Sequence, residues 1–257
     1  MRRPVTVAVV LVCGVLLARS AASAPVSLAV PLDIQLGWML RVALATAAVA
    51  WVPGLLTVLA WHPRREFDLL ECAGLGLAVG FGLNQLITIG AIAFHWSPAV
   101  SIVLLTVWCA VNAVRAHQRR TRVVVPGEQV VLIAVLAVLA VYLYASGSRY
   151  DNMEDRIHVA ISERLAHLPA PSLRNIYYAP DVVYTYPFPG THYLVALIAR
   201  VGGMPAIFAY AKLRPFWCVA ALLLLHGCVR YLLDHVRAAT AATLVDRKST
   251  RLNSSHT

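Results

Sequence analysis

Apolar and polar positions fall into long blocks along this chain rather than alternating at short range. Nearly unbroken apolar runs occupy residues 5–18, 38–61, 69–96, 99–114, 128–145 and 207–233. A hydrocarbon core about 30 Å thick takes roughly 20 helical residues to cross, so the pattern predicts an all-α, polytopic helical membrane protein with about six spans. The first run follows Arg2 and Arg3 and ends near Ala22-Ser23-Ala24. It reads equally as a first span or as a signal peptide covering 1–24, and both give the same later topology. Glycines 74, 76, 80 and 82 in the third run predict close helix packing,. The same glycines lack the strand and lysine of a phosphate loop. Asn84 and Gln85, polar within that run, are expected to hydrogen-bond between helices.

The pattern changes between residues 146 and 204, which divide the spans of 1–145 from a further span at 205–237. Met153, Ile157, Ile161, Leu165 and Leu168 recur at spacings of three and four, predicting an amphipathic helix over 152–168 that stops at Pro169,. At 100° per residue, Asp151, Glu154, Asp155, His158 and Ser162 share an arc about 100° wide beside that apolar face. Prolines 169, 171, 180, 187 and 189 then alternate with Tyr177, Tyr178, Tyr184, Tyr186 and Phe188. Such tyrosines suit the membrane interface and also stacking against sugar rings. Residues 193–202 are apolar but cover only about 15 Å as helix, so a second interfacial helix is expected there.

Composition sharpens the class. Of 257 residues, 60% are hydrophobic and 13% charged, with a mean hydropathy of +0.70, far from the soluble norm of roughly a quarter charged. The formal charge of +10 does not indicate nucleic acid, because the arginines sit beside apolar runs, as the positive-inside bias predicts. Loops at 62–65 and 115–122 are therefore expected in the cytoplasm, and 146–204 outside, in a multi-pass protein of the plasma membrane. The five cysteines all lie in apolar runs with no CxxC pair, so no zinc site or disulfide framework is indicated,. Residues 246–256 resemble a translated sequencing adapter. The tail 246–257 is accordingly expected to be artefactual, and the chain to be the N-terminal part of a longer protein.

Candidate chemistry gathers on the helix of 152–168. Carboxylates and an imidazole at i, i+3, i+4 and i+7 suit acid/base work or a divalent metal held by Asp151, Asp155 and His158. The plainer reading is an N-cap by Asp151 with Glu154 as capping partner, and Asp155 and His158 solvated. Glu163 and His167 read as an ordinary surface pair. Lys212 and Arg214 suit a phosphate, or simple snorkelling to headgroups.

A span, then an external acid followed closely by His-x-Ala (Glu154, Asp155, His158, Ala160), then Tyr-Pro-x-Pro-x-x-His-Tyr-Leu from Tyr186 to Leu194, then Arg214-Pro215 in the next span, resembles the GT-C superfamily of polytopic glycosyltransferases. The resemblance covers about residues 150–233. It departs from the family in having several spans before the loop and no basic residue ahead of the paired prolines. It implies a sugar donor linked to polyprenyl phosphate and an external catalytic acid, Asp155 or Glu154, with His158 orienting it. It further implies substrate contacts from Asp151, Tyr186, His192, Lys212 and Arg214. The rival class is a non-catalytic membrane protein such as a transporter or lipid-carrier flippase, which would place ionisable groups near the midplane of its spans.

Overall fold

The computed structural model describes residues 32–62, 66–127, 129–146, 153–171 and 189–233. Residues 1–24, Asp151, Tyr186 and the tail 246–257 lie outside them. Helix α1 (Leu32–Thr46) runs through a π-helical turn (Ala47–Trp51) into α2 (Val52–Trp61). A short strand β1 (Glu66–Asp68) leads into α3 (Leu69–Phe94), followed by α4 (Pro98–Arg119) and β2 (Arg122–Val124). Then come α5 (Gln129–Ser146), α6 (Met153–His167), α7 (Gly190–Gly202) and α8 (Ala206–Leu233). Three stretches, Gly37–Trp61, Leu69–Phe94 and Pro98–Arg119, are long and apolar enough to cross a membrane. Gln129–Ala140 and Phe216–Leu232 are shorter apolar helices. Leu44, Leu86, Phe94, Val103, Val107 and Val111 are exposed on the outside, which suits lipid as solvent better than water.

Glycine lets α2, α3 and α8 meet backbone to backbone. A Cβ at Gly80 would strike the Ala50 carbonyl, and one at Gly74 would strike the Leu223 carbonyl. Gly76 packs against Leu55, whereas Gly82 meets nothing within 4 Å. Three of the four glycines thus pack as their spacing predicts. The π turn has a local cause as well. Pro53 has no N–H to offer the Val49 carbonyl, and Asn84 Nδ2 donates to that oxygen at 2.9 Å and to Gly80 O at 2.9 Å. Asn84 is therefore an interhelical bond, as its place in the span predicts.

One end of the bundle is closed by polar contacts. Strands β1 and β2 pair in parallel, Phe67 opposite Val123, joining the two arginine-bearing loops. Asp68 Oδ1 accepts from Glu71 N at 2.7 Å, capping α3, and its Oδ2 accepts from Arg230 Nε at 3.0 Å. Arg119 Nη1 donates to Ala60 O at 2.9 Å and Thr121 Oγ1 to Leu59 O at 3.0 Å, covering carbonyls that the end of α2 would otherwise leave unpaired.

Helix α7 differs from expectation. Tyr193 through Ala199 are at most 1% exposed, so this short helix is packed among α6, α8, α1 and α3 rather than lying on the interface. A helix apolar on every side is a buried one, and its seven-residue apolar run carried that signal.

Candidate functional site

The site forms at the end of the bundle opposite the arginines, where α6, α7 and the first turns of α8 meet. Helix α6 buries Ile161, Ser162, Leu165 and Ala166 and leaves Ile157 43% exposed. Its inner face is thus rotated from the expected apolar stripe toward the arc of His158 and Ser162. Ser162 Oγ donates to His158 O at 2.9 Å, which settles the hydroxyl within the helix.

His158 then reaches α7. Its Nδ1 lies 2.8 Å from Nε2 of His192, and the rings stack with centroids 5.0 Å apart. One nitrogen donates and the other accepts, according to tautomer. Burial, with His158 alongside, pushes His192 down to about 4 from its ordinary 6.5. At neutral pH it is an uncharged imidazole, with one ring nitrogen to donate a hydrogen bond and one to accept.

Further contacts fix these two helices. The Tyr193 hydroxyl and Ser101 Oγ are 2.8 Å apart, and Trp96 Nε1 donates to Ser101 Oγ at 3.1 Å. Burial raises the Tyr193 phenol above its ordinary value, so it stays protonated. On the other side Arg200 Nη1 donates to Ala166 O at 3.2 Å. Glu163 does more than pair with His167 at 3.0 Å. Its Oε2 accepts from Ala206 N at 2.6 Å and Ile207 N at 3.3 Å, capping α8 and tying α6 to it.

Beside the histidines lies a cavity of about 530 Å³ whose lining includes Phe81, Gln85, His158, His192, Tyr210 and Trp217. Phe81 and Trp217 face each other with ring centroids 5.1 Å apart. Tyr210 stacks on His158 at 6.3 Å. The cavity is mostly aromatic and apolar with a few polar groups in its lining, which is the make-up of a small-molecule site.

Of the site residues predicted from sequence, the fold brings His158 and His192 into contact. Glu154 and Asp155 lie on the first turn of α6, one turn before His158, and Lys212 and Arg214 lie on α8. The side chains of these four lie outside the described residues, as do Asp151 and Tyr186 entirely. Among the described residues no three His, Cys, Asp or Glu side chains gather as metal ligands. The two imidazole nitrogens face each other, so a divalent metal at His158 rests on the sequence alone. Gln85, Tyr210 and the Phe81–Trp217 pair were not anticipated as lining the site. Only Gln85, a polar residue in a span, carried a sequence signal. No protein-family model, curated protein or solved structure matches the chain.

Proposed function

We propose that the chain is part of a membrane glycosyltransferase of the GT-C type, moving a sugar from a polyprenyl-phosphate donor to an acceptor outside the cytoplasm. It would have about six spans, with 146–204 on the extracytoplasmic side. The observation that carries this reading is the His158–His192 pair at 2.8 Å beside the aromatic cavity, with His158 on the helix that also bears Glu154 and Asp155. The arginine-bearing loops lie at the opposite end, which under the positive-inside bias supports an extracytoplasmic setting for the cavity.

In the proposed reaction the acceptor hydroxyl attacks the anomeric carbon as the bond from that carbon to the lipid-phosphate oxygen breaks. The hydroxyl proton goes to ionised Asp155, or to Glu154, as general base. Lys212 and Arg214 stabilise the negative charge left on the departing phosphate. His158, held by neutral His192, orients the acid, and no step is assigned to a metal.

The test is transfer of sugar from a short-chain polyprenyl-phosphate donor by the intact protein in membranes. Asp155→Asn is expected to lower the rate on the order of 10²- to 10⁴-fold with insertion and expression unchanged. Asp151→Asn, which can still cap, is expected to be mild. Near-normal transfer by both Asp155→Asn and Glu154→Gln would remove the catalytic assignment of these acids and leave the helix an interfacial brace.

A further inference from the structure

Gln85 and Asn84 are neighbours on α3, yet they do different things. Asn84 is buried and its amide nitrogen serves two backbone carbonyls. Gln85 is half-buried, lines the cavity, and shares no hydrogen bond with another described residue. It stands about 14 Å along the helix axis below Phe94, the last residue of α3,. At that depth a polar side chain is costly unless something polar meets it.

What meets it is constrained by the rest of the lining. Phe81 and Trp217 offer an aromatic wall, and the described lining residues include no Asp, Glu, Lys or Arg. His192 is uncharged at neutral pH through burial. The described wall thus offers hydrogen bonds rather than charge. A plain hydrocarbon chain would cover the aromatic rings and leave the Gln85 amide unmet. A ligand with an apolar ring face and hydroxyls at its edge satisfies both, since an amide offers a donor pair and an acceptor side by side and the C–H face of a sugar lies flat on aromatic rings.

We propose that this cavity seats the pyranose ring of an amphipathic glycoside against Phe81 and Trp217, and that Gln85 is the specificity-determining residue that reads its hydroxyls. The inference rests on the glycosyltransferase reading for its setting, but its test needs no transfer. The intact protein in lipid nanodiscs is titrated with octyl β-glucoside, octyl 2-deoxyglucoside and octyl tri(ethylene glycol), which share one alkyl chain. The glucoside is expected to bind about 10- to 100-fold more tightly than the ether, because losing the hydroxyls leaves the amide unpaired. Both Gln85→Leu and Gln85→Met, the latter unbranched and of similar length, are expected to erase that preference without weakening the ether, and thermal unfolding checks that each variant is folded.

A preference for the glucoside that survives in both variants overturns the assignment of Gln85. Equal binding of glucoside and ether by the unaltered protein overturns the sugar seat altogether. Should the unaltered protein transfer no sugar while Gln85 still governs the preference, the glycosyltransferase reading fails and the sugar site stands.

Discussion

The two ends of the bundle use polar side chains in opposite ways. At the arginine end several described polar groups bind one another or the backbone: Arg230 to Asp68, Arg119 and Thr121 to the last carbonyls of α2, and Trp61 Nε1 to Asn112 Oδ1 at 2.7 Å, while the buried Gln129 amide at the start of α5 has no described hydrogen-bond partner. At the histidine end some polar contacts also fix helices, such as Tyr193 with Ser101 and Glu163 with the start of α8, but His158 and His192 pair at the wall of a cavity of about 530 Å³. Gln85 faces the same space with no described partner. Charge that is spent on backbone and on other charges holds a fold, whereas polar groups left around an aromatic hollow are available to a ligand. The first arrangement accounts for how the helices stay in register. The second is where chemistry has room to occur.

The sharpest way to break this comparison is at the Asp68–Arg230 pair, whose side chains are only 3% and 18% exposed. Removing one partner of a buried pair leaves the other charge uncompensated and typically costs about 3–5 kcal/mol. Arg230→Met is therefore expected to lower the thermal midpoint strongly while leaving sugar transfer per folded molecule intact. Adding Asp68→Asn, which still has an oxygen to cap α3, should recover much of the loss. A single variant as stable as the unaltered protein would mean that this end is not held by the pair.

A smaller effect is expected at the other end, and it depends on pH. The folded state holds His192 down at about 4, against an ordinary 6.5. As pH falls below 6.5 the unfolded chain takes up the proton first, so stability present at neutral pH declines between about 6.5 and 4 and then levels off. Denaturation midpoints measured across that window should fall with pH, and His192→Gln should flatten this part of the profile. An unchanged slope in the variant would show that His192 is not buried as described.

How much of this was legible in the sequence follows from the same contrast. Apolar runs marked the three long helices, since length and lipid solubility are written locally. The glycines at 74, 76 and 80 announced close packing, whereas the cap of α4, where Ser97 Oγ accepts from Val100 N, was not anticipated. The β1–β2 pairing was not legible, being three residues long and made between distant loops. Nor was the contact of His158 with His192, separated by 34 positions, because nothing local says which way α6 turns. Glu163 looked like half of a surface pair because its backbone partners on α8 are brought in only by the tertiary fold. For α7, shortness suggested an interfacial helix, while its continuous apolar run pointed to burial, and burial is what the packing shows. Gln85 resembled Asn84 in sequence, and only the fold separates the residue that binds a helix from the one that faces a cavity.

The mildest test returns to the arginine end, where exposure should make an interaction weak even though it is well formed. Arg115 places its guanidinium carbon 3.7 Å from the centre of the Trp61 ring, but Arg115 is exposed and Trp61 is 55% exposed. An exposed cation over an aromatic ring contributes about 0.5–1 kcal/mol, so Arg115→Ala should lower the thermal midpoint by roughly 1–4 °C for a chain of this size. Arg115→Lys keeps the charge but not the planar group that stacks, and should fall between the two. The Trp61 Nε1 bond to Asn112 survives both substitutions, so α2 and α4 stay joined and transfer should be unaffected. A loss as large as that from Arg230→Met would show that Arg115 holds something beyond the ring, and that this end owes its stability to its surface as much as to its buried pair.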